Sequence, residues 1–161
     1  MSTRQEQADY TRLMERYEEA MSDLYKQYAA VFPRYKTAWQ HLASAEIQHA
    51  DWVRTLRARI QDGSVQVSEE RSVEPERITG SLDRVANELV RAKGAAIIVV
   101  DAFATALQME GEMIEKEWFG FFEADSPELR RVFQSLATET SKHVEALQKL
   151  WDAEVNRRQE Q

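Results

Sequence analysis

Trp39–Leu56, WQHLASAEIQHADWVRTL, is the stretch on which the fold turns. Trp39, Leu42, Glu46, His49, Val53 and Leu56 recur at intervals of three and four residues, and Ile60 extends the row. That period belongs to one face of an α-helix packed on neighbours, and not to a strand, which alternates every second residue. Two polar residues, Glu46 and His49, interrupt an otherwise apolar seam. A bare carboxylate buried there costs several kcal/mol by order of magnitude unless it is paired or holds a cation.

Working outward, the same period appears on both sides. Tyr10, Met14, Tyr17, Met21, Leu24, Tyr28 and Val31 form a stripe that predicts a first helix from about Gln7 to Phe32, ended by Pro33. The second helix is predicted from about Tyr35 to Ile60, where Asp62-Gly63-Ser64 breaks it. A third is expected from about Ala95 to Glu123, with Phe103, Leu107, Glu110, Ile114 and Phe121 on one face and Glu117 and Trp118 competing for the slot between. Ser126-Pro127-Glu128 has the form of an N-cap followed by Pro in the first turn, and opens a fourth helix with the stripe Leu129, Phe133, Leu136, Thr140, His143, Leu147 and Leu150.

Between the second and third helices lies a long connection, Gln61 to about Gly94, Pro- and Glu-rich at its start, with a short helix expected from Ser81. It is long enough to run the length of a bundle. Short turns make the first and second helices antiparallel neighbours, and likewise the third and fourth. Two helical hairpins tied by one long crossover is the ferritin-like four-helix arrangement, distinct from a simple up-down-up-down bundle. With 161 residues, five Gly and three Pro, the chain suits one all-α domain.

Composition narrows the function classes. The longest clean apolar run, Ala95–Val100, is far short of the roughly 20 residues that span a bilayer. The polar Met1–Tyr10 lacks the apolar core of a secretory signal, so the cytoplasm is the expected location. Without cysteine there are no disulfides, thiolate zinc sites, cysteine-ligated iron–sulfur clusters or cysteine nucleophiles, and any metal must be held by carboxylates and imidazoles. A net charge of −7 with scattered Lys and Arg argues against nucleic-acid binding, and no phosphate loop, dinucleotide fingerprint or hydrolase elbow is present.

The candidate chemistry lies in Glu46-x-x-His49, whose spacing points both side chains the same way from one helix. Residues equally far from a shared turn meet in an antiparallel hairpin. Glu18 lies about as far before Pro33 as Glu46 lies after it, and Glu110 and the pair Thr140 and His143 bracket Ser126 in the same way. Polar interruptions from four helices therefore converge on one level. Blander readings stand beside this: Glu46 and His49 as a solvated or hydrogen-bonded pair, Glu18 as part of a solvated face with Glu15 and Glu19, Glu110 as one of an acidic run with Glu112, Glu115 and Glu117, and His143 as a satisfied core residue. His41 is off the stripe and reads as structural. Tyr17, Tyr25 and Tyr28 can hydrogen-bond ligands or shuttle electrons, although aromatics at helical spacing more often serve packing.

These residues resemble the rubrerythrin and ferritin-like di-iron carboxylate family. The first hairpin carries the resemblance through Glu18-x-x-Met21-x-x-Leu24-Tyr25, Val31-Phe32-Pro33, Trp39, Leu42-Ala43 and Glu46-x-x-His49-Ala50, and the second through Ala106-Leu107-Gln108-Met109-Glu110 and Leu136-Ala137. The resemblance implies a non-haem iron site, of one or two ions with manganese as an alternative, held by Glu18, Glu46, His49, Glu110 and His143. It implies redox chemistry on peroxide or dioxygen, or oxidation of ferrous iron. This chain departs from the pattern at Thr140, where a second Glu-x-x-His would place Glu; Glu139 is the candidate replacement, a 100° turn away about the helix. Glu117 is a second departure. Lacking the cysteine-ligated electron-transfer module of many rubrerythrins, the chain would draw electrons from a separate partner or from iron itself. Dimers are expected from the resemblance, with aromatics near Trp118–Phe122 suited to an interface. The other reading is a metal-free, degenerate bundle acting as an interaction or oligomerisation module.

Overall fold

A computed structural model describes residues 3–65, 74–94, 96–115 and 127–161, apart from the side chains of Met113, Ile114, Glu115, Leu129 and Phe133. The described residues are all-helical: α1 is Arg4–Val31, α2 Lys36–Gln61, α3 Pro75–Gly94, α4 Val99–Glu115 and α5 Pro127–Gln159, with a 3-10 turn at Pro33–Tyr35. No helix among them is long and apolar enough to cross a membrane.

α1 starts at Arg4, three residues before the expected Gln7, because Thr3 and Glu6 form a reciprocal capping box. It ends ahead of Pro33, which opens the 3-10 turn. α2 stops at Asp62-Gly63-Ser64. Gly63 takes a left-handed φ of 79° and the Asp62 carboxylate accepts from the Ser64 amide at 2.8 Å.

Two further boundaries differ from the sequence reading. The helix of the crossover is not short and is not opened by Ser81. It begins at Pro75, and the Ser81 hydroxyl donates back to the Arg77 carbonyl four residues earlier, the habit of serine inside a helix and not at its cap. α4 begins at Val99 and not Ala95, with the Ile98 carbonyl accepting from Asp101 and Ala102. The expected continuation to Glu123, the slot shared by Glu117 and Trp118, Phe121, the Trp118–Phe122 aromatics and the Ser126 cap lie outside the described residues.

Contacts set the helix directions. Going backward along α1 through Ser22, Glu18 and Glu15, the partners on α2 advance from Ala43 to His49 to Arg54, so the two are antiparallel. α2 and α5 run antiparallel as well, joined by Arg59 with Glu128 at one end and by Glu46 with His143 in the middle. Tyr25 meets Glu110, so α4 reaches α1, while α3 lies along α1, where Gln27 donates to the Ala92 carbonyl, and touches α4 through Arg84 and Glu112. Ile78, Val85 and Ala92, seven residues apart, form the buried row of α3.

The core has two characters. Around the 33–35 turn it is aromatic, with Tyr25, Tyr28, Trp39 and Phe103 buried together, and toward the other end it is mostly aliphatic, with Met14, Val53, Leu56, Ile60, Val65 and Ile78. Glu18, Glu46, His49, Glu110, Thr140 and His143 are buried between them.

A buried carboxylate and imidazole centre

α1 supplies Glu18, α2 Glu46 and His49, α4 Glu110 and α5 His143. His49 Nδ1 stands 3.2 Å from Glu46 Oε2 and 3.9 Å from Glu18 Oε2, and His143 Nδ1 stands 2.9 Å from Glu46 Oε1 and 3.4 Å from Glu110 Oε1. The imidazole rings are near-parallel with centroids 5.3 Å apart, and Trp52 lies against the other side of His49 at 5.6 Å. Glu46 is the hinge of the cluster, since its two oxygens face different histidines.

Closeness does not amount to satisfaction here. Glu18 Oε2, Glu46 Oε1, His49 Nδ1, Glu110 Oε2 and His143 Nδ1 are all buried, and none makes a well-aligned hydrogen bond: they face one another at ion-pair distances. Buried polar atoms are nearly always well bonded, so five such atoms converging from four helices and facing only one another call for a specific explanation. Donor atoms of Glu18, Glu46 and His49, and of Glu46, Glu110 and His143, fall within 4.8 Å of one another, the spread expected of groups around a shared cation. Oxygen and imidazole nitrogen suit iron, manganese or zinc, so the residues fit a metal.

Electrostatics agree with the geometry. Burial, reinforced by Glu46, pushes the Glu18 carboxyl well above the usual carboxylate range. Burial and the Glu46 charge raise Glu110 to about 7. Burial works against ionised Glu46 too, but His143 and His49 outweigh it and hold that carboxyl well below the usual range. Burial likewise opposes the His143 imidazolium, yet Glu110 and Glu46 raise it to about 10. Without a cation, a proton on Glu18 and a charge on His143 do part of the neutralising.

Thr140 is buried at the site, so the position where the resemblance puts Glu carries only a hydroxyl. Glu139 is half-buried, within 4.8 Å of both histidines' ligand atoms, and its Oε1 accepts from Lys142 at 2.9 Å. It flanks the centre on the α5 side without being enclosed by it. His41 is exposed and takes no part. Glu15, placed by sequence on a solvated face, is buried and ion-paired with Arg54 and Arg57, while Glu19 remains half-exposed.

Tyr25 is the contact that stripe counting left undistinguished: its hydroxyl donates to Glu110 Oε1 at 2.6 Å. It stands seven residues after Glu18 on the same face of α1, a spacing that was available to find it. A second buried acid, Glu154, accepts from the Tyr35 hydroxyl, Arg157 and Arg158, and lies beside the turn, away from the centre. Its signal was the pair of arginines three and four residues on.

No protein-family model matches this chain, and no curated protein and no solved structure matches it either.

Proposed function

We propose that this protein is a rubrerythrin-like, non-haem iron protein, with α1, α2, α4 and α5 as a ferritin-like bundle and α3 as its crossover. The observation that supports the reading is the set of five buried ligand atoms from four helices that face only one another and make no well-aligned hydrogen bond. Glu18, Glu46, His49, Glu110 and His143 would hold the metal, iron first and manganese second, with Glu139 able to join from the seam. Iron bound there would supply redox chemistry toward peroxide or dioxygen, or undergo oxidation itself as ferrous substrate.

The residues have separable tasks. Glu18, Glu46 and Glu110 neutralise a hard cation, and Glu46 fixes the orientation of both imidazoles. Tyr25 keeps Glu110 Oε1 engaged, so that Oε2 would be the oxygen left to hold a metal. The small Thr140 leaves the α5 side of the centre short of one carboxylate, which favours a single tightly held ion or two unequal ones. Electrons would come from a separate partner or from ferrous iron itself, since these 161 residues include no cysteine with which to build an iron–sulfur module.

Anaerobic loading with ferrous iron and elemental analysis tests this directly. Wild type is expected to retain iron through desalting, and a Glu46→Ala, His49→Ala variant to lose it; equal iron in both would sink the proposal. Buried Thr140 favours a second reading, a metal-free bundle used for association between proteins. An unchanged melting temperature in excess iron and manganese supports that reading, since a ligand bound only by the native state at 100 times its Kd adds about 2.7 kcal/mol.

A further inference from the structure

Buried rings run from the centre to the surface without a gap. The Tyr25 ring lies 5.5 Å from Trp39, Trp39 stacks on Phe103 at 5.1 Å, and Tyr35 meets Phe103 edge-on at 5.1 Å. Tyr28 stands to one side, 4.9 Å from Trp39. At the inner end the Tyr25 hydroxyl donates to Glu110, and at the outer end the Tyr35 hydroxyl donates to Glu154. Tyr35 lines an open cleft of about 320 Å³ with Phe32, Arg34, Ile98, Glu154 and Arg157.

Packing alone does not ask for this pattern. Aromatic pairs contribute about 0.5–1.5 kcal/mol each, and phenylalanine at positions 25 and 35 would supply them equally well. Glu154 also serves Arg157 and Arg158, but burying Glu110 so that the inner phenol has a carboxylate partner adds a desolvation cost. Phenol and indole are the side chains that most readily lose one electron, and a phenol does so only if its proton has somewhere to go. Each end of the row provides that acceptor.

We propose that Tyr25, Trp39 and Tyr35, bridged by Phe103, carry single electrons between the cleft at the 33–35 turn and the buried carboxylate–imidazole centre. The physiological oxidant, a peroxide reduced at that centre, rests on the metal reading above; the path itself does not. Tyr25 gives up one electron inward and passes its hydroxyl proton to Glu110. Trp39 returns an electron to Tyr25, and Glu110 returns the proton. Tyr35 then restores Trp39 across Phe103, its own proton moving to Glu154, until an external one-electron donor at the cleft re-reduces it and the proton comes back. Each round moves one electron inward, and two rounds with two solvent protons reduce one peroxide to two waters.

The test is flash-quench oxidation of the metal-free protein by photoexcited tris(bipyridine)ruthenium(II) in solution, read by electron paramagnetic resonance and transient absorption. Tyr25 is fully buried and out of reach of this oxidant. The expected result is a tyrosyl radical at Tyr25, abolished in Tyr25→Phe with the signal moving to Trp39, and lost from Tyr25 in Trp39→Phe and Tyr35→Phe. A radical confined to exposed aromatics in wild type, or one whose Tyr25 yield is unchanged by Trp39→Phe and Tyr35→Phe, overturns the path. Circular dichroism melts check each variant; if Trp39→Phe does not fold, Tyr35→Phe at its half-buried position decides. Iron retention is measured separately. A Tyr25 radical with no iron binding ends the metal reading and keeps the path, and iron binding without the radical does the reverse.

Discussion

Glu18 and Glu46 lie side by side in the core but carry different loads. Glu18 is pushed toward its protonated form, while Glu46 stays ionised between two imidazoles. Glu18→Gln replaces a neutral carboxyl by a neutral amide and should change metal-free stability by less than about 1 kcal/mol, while Glu46→Gln strips the His143 imidazolium of its counter-charge and should cost about 3–5 kcal/mol. Urea unfolding compares the two, and both variants should bind less iron. Equal destabilisation would show that the charge is not concentrated on Glu46. A pH dependence follows from His143 and Glu110. Both titrate higher in the folded protein than their ordinary values of 6.5 and 4.5, at about 10 and about 7. Their contributions are thus complete below the ordinary values and are lost as pH rises through the folded ones. The metal-free protein should lose stability steadily from pH 6 to pH 10, and urea midpoints that rise over this range would contradict the assignment. At this scale Glu46, His49, Glu110 and His143 were legible because helical period and distance from a turn are both properties of sequence. Glu15 was not: a carboxylate's burial depends on which arginines fold over it, and Arg54 and Arg57 reach it from another helix, whereas Glu154 had its signal in Arg157 and Arg158 on its own helix.

Among the elements, α3 shows how far a helical stripe can be hidden by its caps. Its row of Ile78, Val85 and Ala92 packs along α1, and Pro75 opens it, but Ser81 looks like a start signal to anyone reading for N-caps. The serine satisfies its hydroxyl within the helix, and the real boundary sits six residues earlier. The stripes of α1, α2 and α5 were easier, because each is long and is punctuated by Pro33, Gly63 or Pro127. Since α3 contacts α1 and α4 away from the proposed metal ligands, Ile78→Ala should destabilise the fold by about 3 kcal/mol through the cavity it leaves, with any iron stoichiometry unchanged below the unfolding transition. Denaturant midpoints and elemental analysis on the same preparation separate these effects. Loss of iron from a folded Ile78→Ala protein would mean that the crossover helps to shape the centre.

Across the whole molecule, a chain of net charge −7 keeps three of its acids in the core, close to two imidazoles. That concentration of negative charge costs folding energy which a bound cation would return, so function and stability are expected to move together. The small side chain of Thr140 then sets a limit by electroneutrality. One divalent ion among Glu18, Glu46 and Glu110 is balanced once a single carboxyl keeps its proton. Two such ions exceed three carboxylates by one unit, and the nearest remaining counter-charge is Glu139, already committed to Lys142. Occupancy should therefore come in two unequal stages, visible calorimetrically as a tight phase followed by a weak one. Glu139→Gln should weaken the second phase alone, and Lys142→Ala, by freeing the carboxylate, should strengthen it. On the proposed reading, a threonine in place of an acid would turn a symmetric pair of berths into a ranked one, the outer ion depending on a carboxylate shared with a surface lysine.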